Sequence, residues 1–201
     1  MHTEEKEFSP QQSLDLIRSM ISHTRGAVVN NSFYFLLWGW LVFGCSVGQY
    51  LLKTYTAYPF HYMVWWLMPV GGLISAVYGS RQSKKTRVRS FVGDAISYLW
   101  IAIALAFIVL LLVNIMREKG WQVAFTYYIL MYAIGTFVTG KLIEFKPLVI
   151  GGLINFVLAV VSVKFAYDEQ LLIGAVAILV SYIIPGYLLR SKARRQNQTH
   201  G

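Results

Sequence analysis

The sequence predicts an all-α polytopic membrane protein, a bundle of six transmembrane helices preceded by a cytoplasmic amphipathic helix. Three observations lead there. Six apolar runs, 33–52, 61–79, 91–115, 121–140, 147–166 and 170–189, fill most of the 201 residues. Each is long enough to cross a hydrocarbon core of about 30 Å as a helix rising about 1.5 Å per residue. Period-two alternation is absent, so the strands of a membrane barrel do not fit. The basic residues are also sorted to one side of the runs.

That sorting sets an orientation. Fourteen Lys and Arg residues fall in the amino-terminal arm, the second-to-third and fourth-to-fifth connections and the tail. The opposite side holds four: Lys53, Arg117, Lys119 and Lys164. Cytoplasmic loops carry the excess of Lys and Arg, so both termini are expected in the cytoplasm. Three regions follow: an arm over 1–32, a membrane domain over 33–189 and a basic tail over 190–201.

Composition excludes an ordinary soluble domain. Hydrophobic residues make up 56% and charged residues 13%, against norms of roughly 45–50% and 25%. The net charge of +9 would raise nucleic-acid binding in a soluble protein. Here the basic residues flank the spans, and topogenesis explains them more simply. Arg81, Lys84, Lys85, Arg87 and Arg89 are candidates for contact with anionic lipid headgroups. The first thirty residues are polar, with no cleavable-signal pattern, so the first span is expected to act as its own insertion signal.

In the arm, Ser9 and Pro10 open a helix, and Gln12 sits where a capping box needs it. Leu14, Leu16, Ile17, Met20 and Ile21 fall within an arc of about 160° at helical spacing. This helix is expected to lie on the cytoplasmic interface; docking against the bundle or a partner helix is the competing reading. Gly26 ends it, and Asn30-Asn31-Ser32 offers a cap for the first span.

The first span carries Gly44 and Gly48 in a GxxxG pattern, and the second continues with Gly71, Ser75 and Gly79. Such stripes let helices approach closely; packing within one bundle is the expected use, and pairing of two copies of the chain as a homo-oligomer is the alternative. Cys45, the single cysteine, excludes an internal disulfide and reads as a packing residue. Pro69, Gly71 and Gly72 interrupt the second span near mid-bilayer, where a proline leaves a carbonyl to be satisfied by neighbours or water. The third span is the longest and is expected to tilt. Asp94 lies about one turn inside it, where Arg87, Arg89 or its own helix terminus would partner it. Tyr50, Tyr55, Tyr58, Tyr62, Trp65, Trp66 and Trp121 form an outer aromatic belt, with Trp38, Trp40 and Trp100 deeper.

Asn155, near the middle of the fifth span, and Ser181, near the middle of the sixth, carry the most weight. Polar groups at that depth cost free energy unless partnered. With Pro69, Gly71 and Gly72 they form the candidate polar site, and Gly151 and Gly152 would let a helix or ligand approach. The plainer alternative is that each bonds across to one helix, contributing about 1 kcal/mol. Residues 71–77 also match 151–157 at five of seven positions. Since the two spans run oppositely, this has the form of an inverted repeat, an architecture of transporters.

The stretch from Asn31 to Trp40, with the upstream Ser13-Leu14 and Met20-Ile21, resembles a family of small multi-span bacterial membrane proteins. Met68-Pro69-Val70-Gly71-Gly72 fits the same family, and the resemblance covers most of the chain. That family has no assigned activity, so it implies a bacterial inner membrane and no functional residue.

Enzyme chemistry finds little footing. No serine–histidine pair, paired carboxylates or HExxH motif lies within the spans, and no cofactor or metal motif is present. A non-enzymatic regulatory, scaffolding or accessory membrane protein is therefore expected. A small transporter or channel with a central polar site near Asn155 is the alternative.

Overall fold

The computed structural model describes residues 11, 32–85, 91–117 and 120–199. The predicted amphipathic helix lies outside these residues, apart from Gln11, and so do Arg87 and Arg89. The described chain is helical, with no strand among the described residues. We number the helices α1 (Phe33–Thr56), α2 (Leu67–Lys85), α3 (Phe91–Met116), α4 (Ala124–Leu142), α5 (Lys146–Ser162), α6 (Tyr167–Ile178) and α7 (Ile184–Thr199). Two 3₁₀ segments, His61–Trp66 and Gly120–Val123, lead into α2 and α4. A π-helical turn, Leu179–Ile183, joins α6 to α7 as one continuous rod.

The apolar runs and the helices coincide in their middles and part at their ends. Ser32 makes no side-chain capping bond to α1, and its carbonyl already accepts from Leu36 N–H at 3.2 Å. The helix therefore starts without the expected serine cap. It ends on Ala57 in the left-handed region, φ 48°, whose N–H returns to Leu52 O. Pro69 does not interrupt a helix at mid-length. It stands in the first turn of α2, where an intrahelical N–H is not needed. The helix then runs on to Lys85, beyond the predicted end.

α4 and α5 form a tight hairpin. The turn closes with Phe145 N–H on Gly140 O at 2.9 Å and Glu144 N–H on Lys141 O at 3.2 Å. These are the paired bonds of a Schellman ending, with Glu144 at φ 53° in the position usually given to glycine. Pro147 lies in the first turn of α5. At 17 residues, α5 is only about 25 Å long, shorter than its predicted run, because the chain leaves the helix after Ser162.

The last rod is the hub. It packs against α1 on one side and against α4 and α5 on the other. Its π turn has a local cause: Pro185, almost fully buried, lacks the N–H that would bond the carbonyl four residues back. A wider turn just before it accommodates that loss. Phe35, Val42, Leu148, Ile178, Tyr182 and Leu189 meet there as the main core cluster. Around this four-element centre, and among the described residues, the backbone of α2 lies beside α1 and its own 3₁₀ leader, and that of α3 beside α4 and the second 3₁₀ segment. Trp100 extends from α3 to meet Tyr182 edge-on, with ring centroids 5.9 Å apart.

Glycines set the closest approaches. A methyl group on Gly152 would lie 2.7 Å from Phe137 N of α4, and one on Gly151 would lie 2.8 Å from Ser181 Cα. The predicted GxxxG of α1 makes no such contact: nothing lies within 4 Å of a methyl on Gly44, and Val64 alone lies at 4.0 Å from one on Gly48. Gly39 is instead the close-approach residue of α1, toward Ile183 of the π turn. The stripe Gly71, Ser75, Gly79 does face α1, where Trp38 Nε1 donates to Ser75 Oγ at 3.1 Å.

Candidate functional site: a buried amide pair and a polar cluster at one end

The structure divides the five predicted site residues into two groups. Asn155 on α5 and Ser181 in the π turn come together. Asn155 Nδ2 donates to Ser181 Oγ at 2.9 Å, and Ser181 Oγ donates to Ala177 O at 2.7 Å. Both side chains are fully buried. Gly151 makes this meeting possible by seating α5 directly on the backbone of the π turn. Gly152 faces the opposite way, onto α4. Backbone therefore lies against both glycines, the turn before Asn155.

Pro69, Gly71 and Gly72 lie elsewhere. Pro69 is exposed, Gly71 meets Leu41 and Trp38 of α1, and nothing lies within 4 Å of a methyl on Gly72. No contact joins α2 to α5 among the described residues. The matching segments 71–77 and 151–157 thus have unequal surroundings, one on a peripheral helix and one in the centre.

The Asn155–Ser181 pair is a lock between helices. Among the described residues the serine hydroxyl meets only Asn155 Nδ2 and Ala177 O, and the amide donates to a single neighbouring element. One atom is left over: Asn155 Oδ1 is buried without a hydrogen-bond partner among the described residues. Leaving such an acceptor unpaired costs about 1–3 kcal/mol.

A second polar constellation gathers at the end of the bundle that carries residues 57–60 and 163–166. Gln49, fully buried on α1, is its centre. Its Nε2 donates to His61 Nδ1 at 3.0 Å and to Tyr167 Oη at 3.1 Å. Its Oε1 accepts from Trp65 Nε1 at 2.6 Å. The indole is donor-only, so it fixes which way the amide points. Nδ1 of His61 is thereby assigned as an acceptor, with the ring proton on Nε2. Beside it Lys53 pairs with Asp168 at 2.5 Å, and its ammonium lies 5.2 Å from the Tyr167 ring centre. Gln170 ties the neighbouring loops by donating to Gln122 O at 2.7 Å and Phe165 O at 2.9 Å.

Sequence reasoning placed Lys53 and Trp65 at this end and missed Gln49, the amide that joins His61, Trp65 and Tyr167. The available signal was Gln49 itself, an uncharged polar group inside an apolar run. Opposite charges at Lys53 and Asp168, flanking different runs on one side, were a second signal.

Comparison with protein-family models, with curated proteins and with solved structures gives no match for this chain. The class rests on the fold: among the described residues, an all-helical bundle with five helices long and apolar enough to cross a membrane. α5 stands outside these five as a shorter apolar helix.

Proposed function

We propose that the chain is a multi-pass integral protein of a bacterial inner membrane, with six spans and both termini in the cytoplasm. In this reading it acts without catalysis, as a regulatory, scaffolding or accessory partner of other membrane components. The observation that carries it is the contrast between interior and periphery. Among the described residues, several buried polar groups are bonded across helices, as Asn155 with Ser181, Trp100 Nε1 with Thr139 Oγ1 and Thr126 with Ser162. The outer helices, by contrast, keep their apolar surface uncovered. On α3, Ile101, Leu105, Ile108, Leu112 and Ile115 are each more than half exposed. Each such side chain left in water forgoes about 1.5–3 kcal/mol of burial. A hydrocarbon phase or an apolar partner relieves that cost.

The six-span count includes α5. Its neighbours surround it on the inner side, while Ile150, Leu153, Val157 and Val160 form an outward apolar stripe. The bacterial location rests on the family resemblance, and the orientation on the sorting of basic residues.

One observation favours the transporter alternative: Asn155 Oδ1, buried and unpartnered, beside a π-helical turn. Such turns often occur at functional positions. Asn155→Leu separates the two readings. An accessory protein should lose about 1 kcal/mol of stability and keep its cellular phenotype. A transporter with its site at Asn155 should lose the phenotype at unchanged folded yield and thermal stability.

A further inference from the structure

We infer that the groove between α1, α2 and α7 binds an anionic phospholipid, an assignment that rests on the membrane reading above. The groove encloses about 940 Å³. Leu36, Leu37 and Leu41 of α1 supply its aliphatic floor. Trp40 Nε1 donates to Tyr187 Oη at 3.3 Å, which ties α1 to α7 along the wall. At one end stand Arg190 and Arg194, one helical turn apart on the same face of α7.

Charge selects the occupant. No acidic residue lines the groove among the described residues. Neither arginine has a hydrogen bond or ion pair among the described residues. Lys192, between them in sequence, is turned away and lies 5.8 Å from the Phe145 ring centre. Two guanidinium groups above an aliphatic bed complement a phosphate carrying acyl chains. A guanidinium binds phosphate oxygens bidentately, and the long stem lets the charge sit at the interface while its methylenes stay apolar.

A second, smaller groove of about 350 Å³ repeats the pattern alongside. Leu73, Ile74 and Val77 line it, and Arg81 stands at its end. The two grooves share Phe33 and Tyr78, whose rings stack at 4.1 Å and form the ridge between them. Acyl chains lie along both sides of this ridge in the proposed complex, with the headgroup at the arginines. Arg81, read in the sequence as a contact for anionic lipid, thus joins two residues of the tail in one site.

The test uses the full chain in proteoliposomes and then in mild detergent with phosphatidylglycerol or phosphatidylcholine of matched acyl chains. Flotation with the vesicles reports insertion in every sample, so failure of the membrane reading is seen separately. Lipid retained after exchange is measured by native mass spectrometry. Each arginine near an anionic headgroup contributes about fivefold in binding. Arg190→Gln with Arg194→Gln should therefore reduce retained phosphatidylglycerol relative to phosphatidylcholine by roughly twenty-five-fold. Lys164→Gln, at the other end of the bundle, should leave the ratio unchanged. An inserted double variant that keeps the wild-type ratio overturns the assignment, as does wild-type protein that retains both lipids equally. A disulfide between Ile17→Cys and Leu37→Cys in a Cys45→Ala chain would place the arm in the groove and also overturn it.

Discussion

Gly72 and Gly152 occupy matching places in two similar heptapeptides, and their surroundings show what a single hydrogen atom does. At Gly152 an added methyl meets the backbone of Phe137 at 2.7 Å, where no side chain can swing aside. Gly152→Ala should therefore force α4 and α5 apart and cost about 1–3 kcal/mol. At Gly72 the methyl enters open space, and alanine's better helix propensity makes the change neutral or stabilising by up to about 1 kcal/mol. Thermal unfolding of the two variants in one detergent compares them directly. Equal midpoints would contradict the close packing of the hairpin. Gln49 makes a related point. Three partners from two segments converge on one amide, so its orientation is set by the indole, the imidazole and the phenol together.

Helices that are apolar on every side conceal which face packs. Apolar length alone marked the six runs, and the structure has a helix in each. Their faces were less legible. The GxxxG spacing at Gly44 and Gly48 drew attention to the wrong side of α1, because lipid-like surroundings and a packed neighbour both accept small residues there. Gly39 packs closely and stands outside the motif. Asn155 and Ser181 were legible as costly polar groups needing partners, and they found each other. Pro69 was misjudged because an apolar run does not reveal that its first two turns are 3₁₀. Pro185 was a readable signal for a break in the last helix, since a proline inside an apolar run must disturb the ladder near it.

The arm is an element known only from its sequence. If residues 10–25 form a surface-lying helix, Ile17→Asp with Ile21→Asp should detach it while leaving the bundle inserted, since each carboxylate resists an apolar environment. A polarity-sensitive probe at Met20 should then shift to an aqueous signal. An unchanged probe would reject the interfacial helix.

At the scale of the molecule, charge and apolar surface agree on one arrangement. Lys53, Arg117 and Lys164 lie at the end that carries the Gln49 cluster. Arg81, Lys146, Arg190 and Arg194 lie at the opposite end. Between the two, α2, α3 and α5 turn apolar side chains outward. In the proposed reading a bilayer would account for both features at once, with a hydrocarbon band around the middle and the basic end on the cytoplasmic side.

The most direct test of this account is the accessibility of single cysteines in intact cells to a membrane-impermeant thiol reagent, in a Cys45→Ala chain. Tyr58→Cys and Lys164→Cys are exposed positions at the Gln49 end, and the account predicts that both are labelled from outside. Ser83→Cys and Ser191→Cys, at the basic end, should be labelled only after the cells are permeabilised. Labelling of Ser83→Cys or Ser191→Cys in intact cells, with Tyr58→Cys and Lys164→Cys protected, would contradict the orientation. Labelling of all four without permeabilisation would contradict the membrane itself.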